Sequence, residues 1–320
     1  MKLHIRLPKL ETYKRDKRKP IEEIYNSFSK LGENWIGEIV AYQKADSGKN
    51  KNILLPIVSF RTKNKGNAIW IISGIHGEEP AGVNALAKKL SFLNRVGKKI
   101  PMVIIPLCNP SGYWRNWRYP NRKKMSKRGN SGSVGDSDHY LPDLERPNKA
   151  REKKPSSKVA GILSSHVLSL SKKYRPFLVL DLHEDASKRK TYIYSQGRLG
   201  ANDPIAREIV SILKKRGSRI YERGETSFNQ KIKDGVVSNI HDGSIDELLS
   251  SKYIIKGKRR VKGPYARSVI VVETNTVGIP ISKRVNIHSK ILGKIKKFYN
   301  ISKSIYDDPY LRKQIESDIV

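Results

Sequence analysis

In the stretch AIWIISGIHGEEPAG (68–82), an apolar run ends by presenting His76, Glu78 and Glu79 in quick succession, with Pro80 directly behind them. FLVLDLHED (177–185) does the same with His183, Glu184 and Asp185, and SVIVVETN (268–275) delivers Glu273. Two imidazoles and one carboxylate form a recurrent catalytic zinc shell that leaves a fourth position for water. Here the histidine and glutamate lie three residues apart, not on one helical face as in HExxH. His76 is expected on the loop leaving a strand, and Glu79 at the start of a helix whose first turn suits Pro80. The turn of the chain would bring both to one ion, and His183 would close the site from a second strand. Zinc lowers the pKa of its bound water to about 7 and polarises a carbonyl. A carboxylate outside the shell must then take the proton, a role worth roughly 10²–10⁴-fold in rate. Glu273 is the candidate for that general base. The other histidines fit less well. His4 precedes any element, His166 and His288 sit within helical patterns and read as structural, and His139 and His241 are loop residues within possible reach of a site.

Such residues need a scaffold that delivers them to one edge. Short continuous apolar runs at 68–75, 101–108, 177–182 and 268–272 alternate with helical stretches at 81–97, 157–174, 204–217 and 284–300. Unalternated strands between amphipathic helices predict a sheet covered on both faces. The expected fold is therefore α/β, a single domain with a central mixed, mostly parallel sheet flanked by helices on both faces. Open sheets of this kind bind ligands beyond the carboxyl ends of their strands, where both histidines and Glu273 fall. Earlier in the chain, 36–44 and 53–63 read as alternating strands around a turn, and 21–32 as a short amphipathic helix. Residues 1–30 are expected to form a basic N-terminal arm, 31–305 the catalytic domain, and 306–320 a tail. The polar stretch 113–158 exceeds an ordinary connection and reads as a long basic active-site loop.

The 320 residues carry a formal net charge of +34, with 64 Lys and Arg against 30 Asp and Glu. Such a field attracts nucleic acid, anionic membrane or acidic polymers, although the basic residues are spread along the whole chain. A single cysteine, Cys108, excludes a disulfide-held fold. The N-terminus lacks the apolar region of a signal peptide, and no run reaches the ~18 apolar residues of a membrane span. The expected compartment is cytoplasmic.

The ordered set SGIHGEEPAG, NPSGYWRNWR, DLHED and DGSIDE…VVETNTVG resembles the zinc metallocarboxypeptidase (funnelin) superfamily, which includes aspartoacylase and succinylglutamate desuccinylase. The resemblance spans roughly residues 50–300. It implies zinc held by His76, Glu79 and His183, Glu273 as general base with Gly278 five residues on, and Arg118 polarising the scissile carbonyl. A guanidinium suits that developing charge. It also implies that GSID (243–246) lines a specificity pocket, with Ile245 facing an apolar group. Two departures stand out. The Asn-Arg pair that grips a terminal carboxylate in the family should fall within SVGDSDHYLPD, which contains no arginine; Arg115, Arg122 and Arg128 are the nearby alternatives. The substrate-covering tyrosine of digestive members would align near Ser238. Only 47 residues follow Glu273, and 284–300 reads as one helix, which favours a carboxypeptidase-like layout over the aspartoacylase branch with its added β-rich domain.

The leading expectation is a zinc-dependent hydrolase of amide or peptide bonds acting on a peptide, possibly acidic or polymer-attached. N-acyl amino acid deacylation is the alternative. A nucleic-acid-binding protein is the less favoured third reading, suggested by YWRNWRYPNRKKMSKR and KGKRRVK (256–262).

Overall fold

The computed structural model of this chain describes residues 3, 5, 7–47, 50–121, 123–124, 132–186, 189–308 and 310. In chain order these form α1 (Ile21–Phe28), β1 (Trp35–Ser47), β2 (Asn50–Thr62), β3 (Gly66–Ser73), α2 (Pro80–Gly97), β4 (Met102–Ile105), α3 (Pro110–Arg115) and α4 (Lys158–Ser171). Then follow β5 (Tyr174–Asp185), β6 (Tyr192–Ser195), α5 (Pro204–Lys215), β7 (Arg223–Glu225), β8 (Lys231–Lys233), β9 (Val236–Ser238) and α6 (Ile245–Ser250). The chain closes with β10 (Tyr253–Lys256), β11 (Arg259–Lys262), β12 (Ser268–Asn275), α7 (Ile281–Leu292) and α8 (Ile295–Asp307).

One mixed sheet runs in the order β1-β2-β4-β3-β5-β12-β6-β9-β8-β7, and β10 and β11 form a separate hairpin. The centre, β4-β3-β5-β12, is parallel, while β1, β2 and β6 add antiparallel neighbours. Side-chain alternation divides each central strand between two cores. Ile69 and Ile71 of β3, Leu178, Leu180 and Leu182 of β5, and Ile270 and Val272 of β12 meet α1, α2, α5, α7 and α8. Ala68, Trp70, Ile72, Val179 and Val269 face the opposite side, with Leu163 and Val167 of α4 and Ile245 and Leu249 of α6. The period of two therefore places Asp181 and His183, and likewise Glu273, on the α4/α6 side.

Two expectations differ from the observed fold. The N-terminal segment is packed, not a free arm, because Leu10, Ile21, Ile24, Tyr25 and Phe28 belong to the larger core. The 284–300 pattern is two helices, α7 and α8, separated at Gly293 and Lys294. The apolar positions stay in phase across that junction, so periodicity alone did not mark it. Within the long 113–158 stretch, Leu141 is buried against Leu248 and Ile254, and Pro142 pairs with Ala150, so its second half is anchored. Among the described residues, no helix is long and apolar enough to cross a membrane.

Candidate metal centre

The chain leaves β3 through α2 to β4 on one side, and β5 is added later on the other side of β3. Such a reversal opens a crevice at the carboxyl edge of the sheet. His76 lies three residues beyond β3, His183 lies near the end of β5, and Glu273 of β12 stands directly opposite His183 in the parallel register. Three adjacent strands thus bring the expected residues to one edge.

The imidazoles of His76 and His183 are 5.0 Å apart between ring centroids. Glu79 stands between them, with Oε1 2.8 Å from His76 Nδ1 and Oε2 2.8 Å from His183 Nδ1. One donor atom from each residue lies within 4.8 Å of the other two, and all three side chains are buried. This N, N, O set matches the ligand type and number of catalytic zinc sites. Burial and the nearby Arg118 pull His76 down to about 4, which keeps its ring neutral, the form that binds a metal. His183 behaves oppositely: burial opposes its charge, but Asp181 and Glu79 together hold it well above 6.5. Burial also disfavours the Glu79 carboxylate, yet the two histidines hold its pKa well below the ordinary value.

Local structure explains why Glu79 is free for this role. It occupies the N-cap position of α2, where an acidic side chain would ordinarily bond the helix's first N–H groups. Its side chain makes no capping bond. Instead Glu184, next to His183 on β5, accepts the N–H of Ala81 through Oε2 at 2.7 Å, while its Oε1 pairs with Arg284 of α7. The helix is capped from the neighbouring strand. Gly77 explains how closely the loop approaches its surroundings. A Cβ there would lie 1.9 Å from the carbonyl carbon of Gly112 in α3, a distance no side chain tolerates.

Asp181 shares the face of His183 by alternation, and its Oδ2 is 3.1 Å from His183 Nε2. It leaves Nδ1 pointing toward Glu79, the arrangement by which a carboxylate orients a metal-binding imidazole. Behind it, Asp246 at the start of α6 has its pKa raised well above the usual range by burial and by Asp181. Of the two acids that follow His183, Glu184 bonds Ala81 and Arg284, and Asp185 accepts the Tyr192 hydroxyl at 2.9 Å. Asp181 escaped the sequence reading although the D-x-H spacing within a strand marks it.

Arg118 donates through Nη1 to Glu79 Oε1 at 3.0 Å and to Glu78 Oε1 at 3.1 Å. Glu273 is pushed up to about 8, chiefly by desolvation, with His183 pulling it down and Glu79 and Asp185 pushing it up. His76, Arg118, His183, Glu273 and Ile245 all line one cavity of about 230 Å³. Its remaining wall includes Ser133, Gly135, Tyr194, Gln196, Phe228 and Asp242. Ser133 and Gly135 come from the arginine-free stretch, and Arg118 is the one Lys or Arg among the described lining residues. Ser238 does not reach this wall; Tyr194 and Phe228 supply its aromatic surface.

Arg115, expected as a substrate contact, is not among the described lining residues of this cavity, and its guanidinium lies over Trp114 at 5.1 Å and Trp117 at 4.7 Å. Stacking on two aromatic faces competes with reaching the cavity. Arg122 and Arg128 lie outside the described residues, as does His4. His241 bonds Glu247 through Nδ1 at 3.0 Å, and His288 bonds Thr274 through Nε2 at 3.0 Å. His166 lies 3.5 Å from Glu38, and His139 packs on Tyr140; none of these four histidines lines the cavity.

No family model matches the sequence, and no curated protein matches it. Solved structures do. A candidate metallopeptidase from Shewanella amazonensis superposes with a TM-score of 0.63 at 20% identity, over 84% of this chain and 88% of that one. A metallo-carboxypeptidase from Pseudomonas aeruginosa, complexed with (2-guanidinoethylmercapto)succinic acid, gives 0.52 at 14% identity over 92% and 71%. Carboxypeptidase A from Helicoverpa armigera gives 0.52 at 12% identity over 90% and 72%. The chain therefore has the α/β fold of the metallo-carboxypeptidases.

Proposed function

We propose that this protein is a zinc-dependent hydrolase of amide bonds, metallocarboxypeptidase-like. The observation that carries the reading is the His76, Glu79 and His183 cluster with Glu273 opposite His183 on the adjoining strand. Zinc held by the first three would act as a Lewis acid and make water nucleophilic near neutral pH. Glu273 supplies the base. Desolvation raises its proton affinity, so it accepts the proton of the attacking water more readily than an exposed glutamate, then returns it to the leaving amine. Arg118 faces the same cavity, and its guanidinium stabilises the oxyanion that develops as the carbonyl is attacked. Its bonds to Glu78 and Glu79 aim it. Asp181 fixes the tautomer and tilt of His183.

The cavity wall bears on the substrate. Ile245, Val271 and Phe228 offer an apolar surface, and Asp242 and Asp246 are acidic. That lining suits an apolar or cationic terminal side chain better than an acidic one. Zinc-loaded protein assayed against C-terminal peptides and N-acyl amino acids is expected to release C-terminal residues, apolar or basic ones fastest. Turnover confined to N-acyl amino acids would establish the deacylase alternative, and turnover of neither class would end the enzymatic reading.

A further inference from the structure

Arg18 belongs to KRDKRK (14–19), a run whose composition reads as a solvated charge cluster. Yet its side chain is 0% exposed. Nη1 donates to Gly77 O at 2.8 Å and to Tyr113 O at 2.6 Å. Nη2 donates to Asn116 Oδ1 and to Asp16, and Nε reaches Asp16 Oδ2 at 2.9 Å. The planar group also lies over the rings of Tyr113 and Tyr13, at 4.9 and 5.2 Å. A guanidinium offers five N–H donors in a fixed fork, and here the fork engages acceptors on every side.

Those acceptors belong to the two loops that carry the proposed chemistry. Gly77 lies between His76 and Glu79. Tyr113 and Asn116 lead to Arg118, and Asn116 has a left-handed φ of 61° at the C-terminus of α3, where the chain reverses. The loops touch directly: the Gly77 N–H donates to Arg118 O at 3.3 Å, and Gly77 packs on Gly112. Lys19 fastens the N-terminal segment alongside, its N–H bonding Asn84 of α2 and its carbonyl accepting the Tyr113 hydroxyl.

We propose that Arg18 is a positioning residue for the candidate centre. By tying Gly77 to Tyr113 and Asn116, it sets the separation between the His76 and Glu79 donors and the Arg118 guanidinium. The inference rests on the hydrolase reading above. A lysine at this position would keep the charge but lose the fork, because an ammonium cannot hold four directions in one plane. An alanine would take this donor from the buried Gly77 carbonyl, while Tyr113 O would keep the Asn116 N–H and Asp16 the backbone N–H of residue 18.

The test uses full-length, zinc-loaded protein with Arg18→Ala, Arg18→Lys and Asn116→Gly. Asn116→Gly keeps the left-handed backbone accessible and removes only one acceptor, so it folds even if the Arg18 variants do not. For Arg18→Ala, zinc affinity and kcat are each expected to fall ~10–100-fold, the cost typical of groups that orient metal ligands, with KM changed much less. Added guanidinium ion should restore part of that kcat and do nothing for wild type. Arg18→Lys should sit between alanine and wild type, and Asn116→Gly should lose several-fold in kcat. A residue that merely stabilised the fold would lower Tm and leave zinc affinity, kcat and guanidinium response of the folded protein unchanged. That pattern in Arg18→Ala, or unchanged kcat in Asn116→Gly where Arg18→Ala does not fold, overturns the inference while wild-type turnover keeps the hydrolase reading intact. Wild type that binds no zinc removes the hydrolase reading and this inference with it.

Discussion

Asp181, Asp242, Asp246 and Glu273 line the cavity at the candidate metal centre, whereas the β10–β11 hairpin, at the far end of α6, exposes Lys256, Lys258, Arg259 and Lys262. Both regions are densely ionisable, and they handle charge differently. The hairpin side chains are bathed in water, which solvates each cation at little cost. At the cavity, desolvation and neighbouring carboxylates push Glu273 to about 8 and Asp246 well above the usual range. A formal net charge of +34 therefore describes the wet exterior, and says nothing about the chemistry of the crevice. Perturbed groups concentrate where a catalytic site would need them.

The largest expected effect comes from removing the acid on the cavity side. Glu273→Gln, nearly isosteric and unable to accept the proton, should lower kcat by ~10²–10⁴-fold with zinc content by elemental analysis unchanged. A Glu273→Gln protein of full activity would detach the raised carboxyl from the chemistry and break the contrast.

A smaller effect should appear in the pH profile. The base works when ionised, so kcat/KM must rise with pH as Glu273 loses its proton and be lost as pH falls. Desolvation raises that carboxyl from 4.5 to about 8, and a neighbouring divalent cation would pull it down again. The acidic limb is thus expected between those two values. A limb below the lower one would mean that burial does not govern this group.

Least should change on the exposed side. Replacing Lys256, Lys258, Arg259 and Lys262 together by Gln should alter kcat/KM on a short uncharged peptide by less than about twofold, since the four side chains are exposed, none lines the cavity, and salt screens exposed charges beyond a Debye length of about 8 Å. Retention of a single-stranded oligonucleotide by the wild type at physiological ionic strength, lost in this variant, would give the hairpin a role of its own. A tenfold fall in peptide turnover would show instead that the two regions act together.

The same contrast explains what the sequence disclosed. His76, His183 and Glu273 were legible because buried parallel strands read as unbroken apolar runs, and whatever follows such a run arrives at the functional edge. Asp181 was not recognised because a carboxylate inside an apolar run looks like part of the strand; the period of two that pairs it with His183 was there to be used. Glu184 and Ala81, about 100 residues apart, meet through strand pairing that no local pattern encodes. Arg18 was hidden most completely. Among Lys14, Arg15, Lys17 and Lys19, nothing distinguishes the one cation that folds inward, because two of its acceptors are backbone carbonyls, which every residue possesses, and those carbonyls and Asn116 lie far along the chain. For Arg115, proximity in sequence suggested the cavity, and no local pattern foretold that its guanidinium would lie over Trp114 and Trp117.

Zinc K-edge X-ray absorption on the metal-loaded protein tests the central claim most directly. Two histidine nitrogens at about 2.0–2.1 Å and carboxylate oxygen at about 2.0–2.2 Å are expected, with one nitrogen lost in His183→Ala. A shell of water oxygens alone, or a spectrum that His183→Ala leaves untouched, would contradict the account.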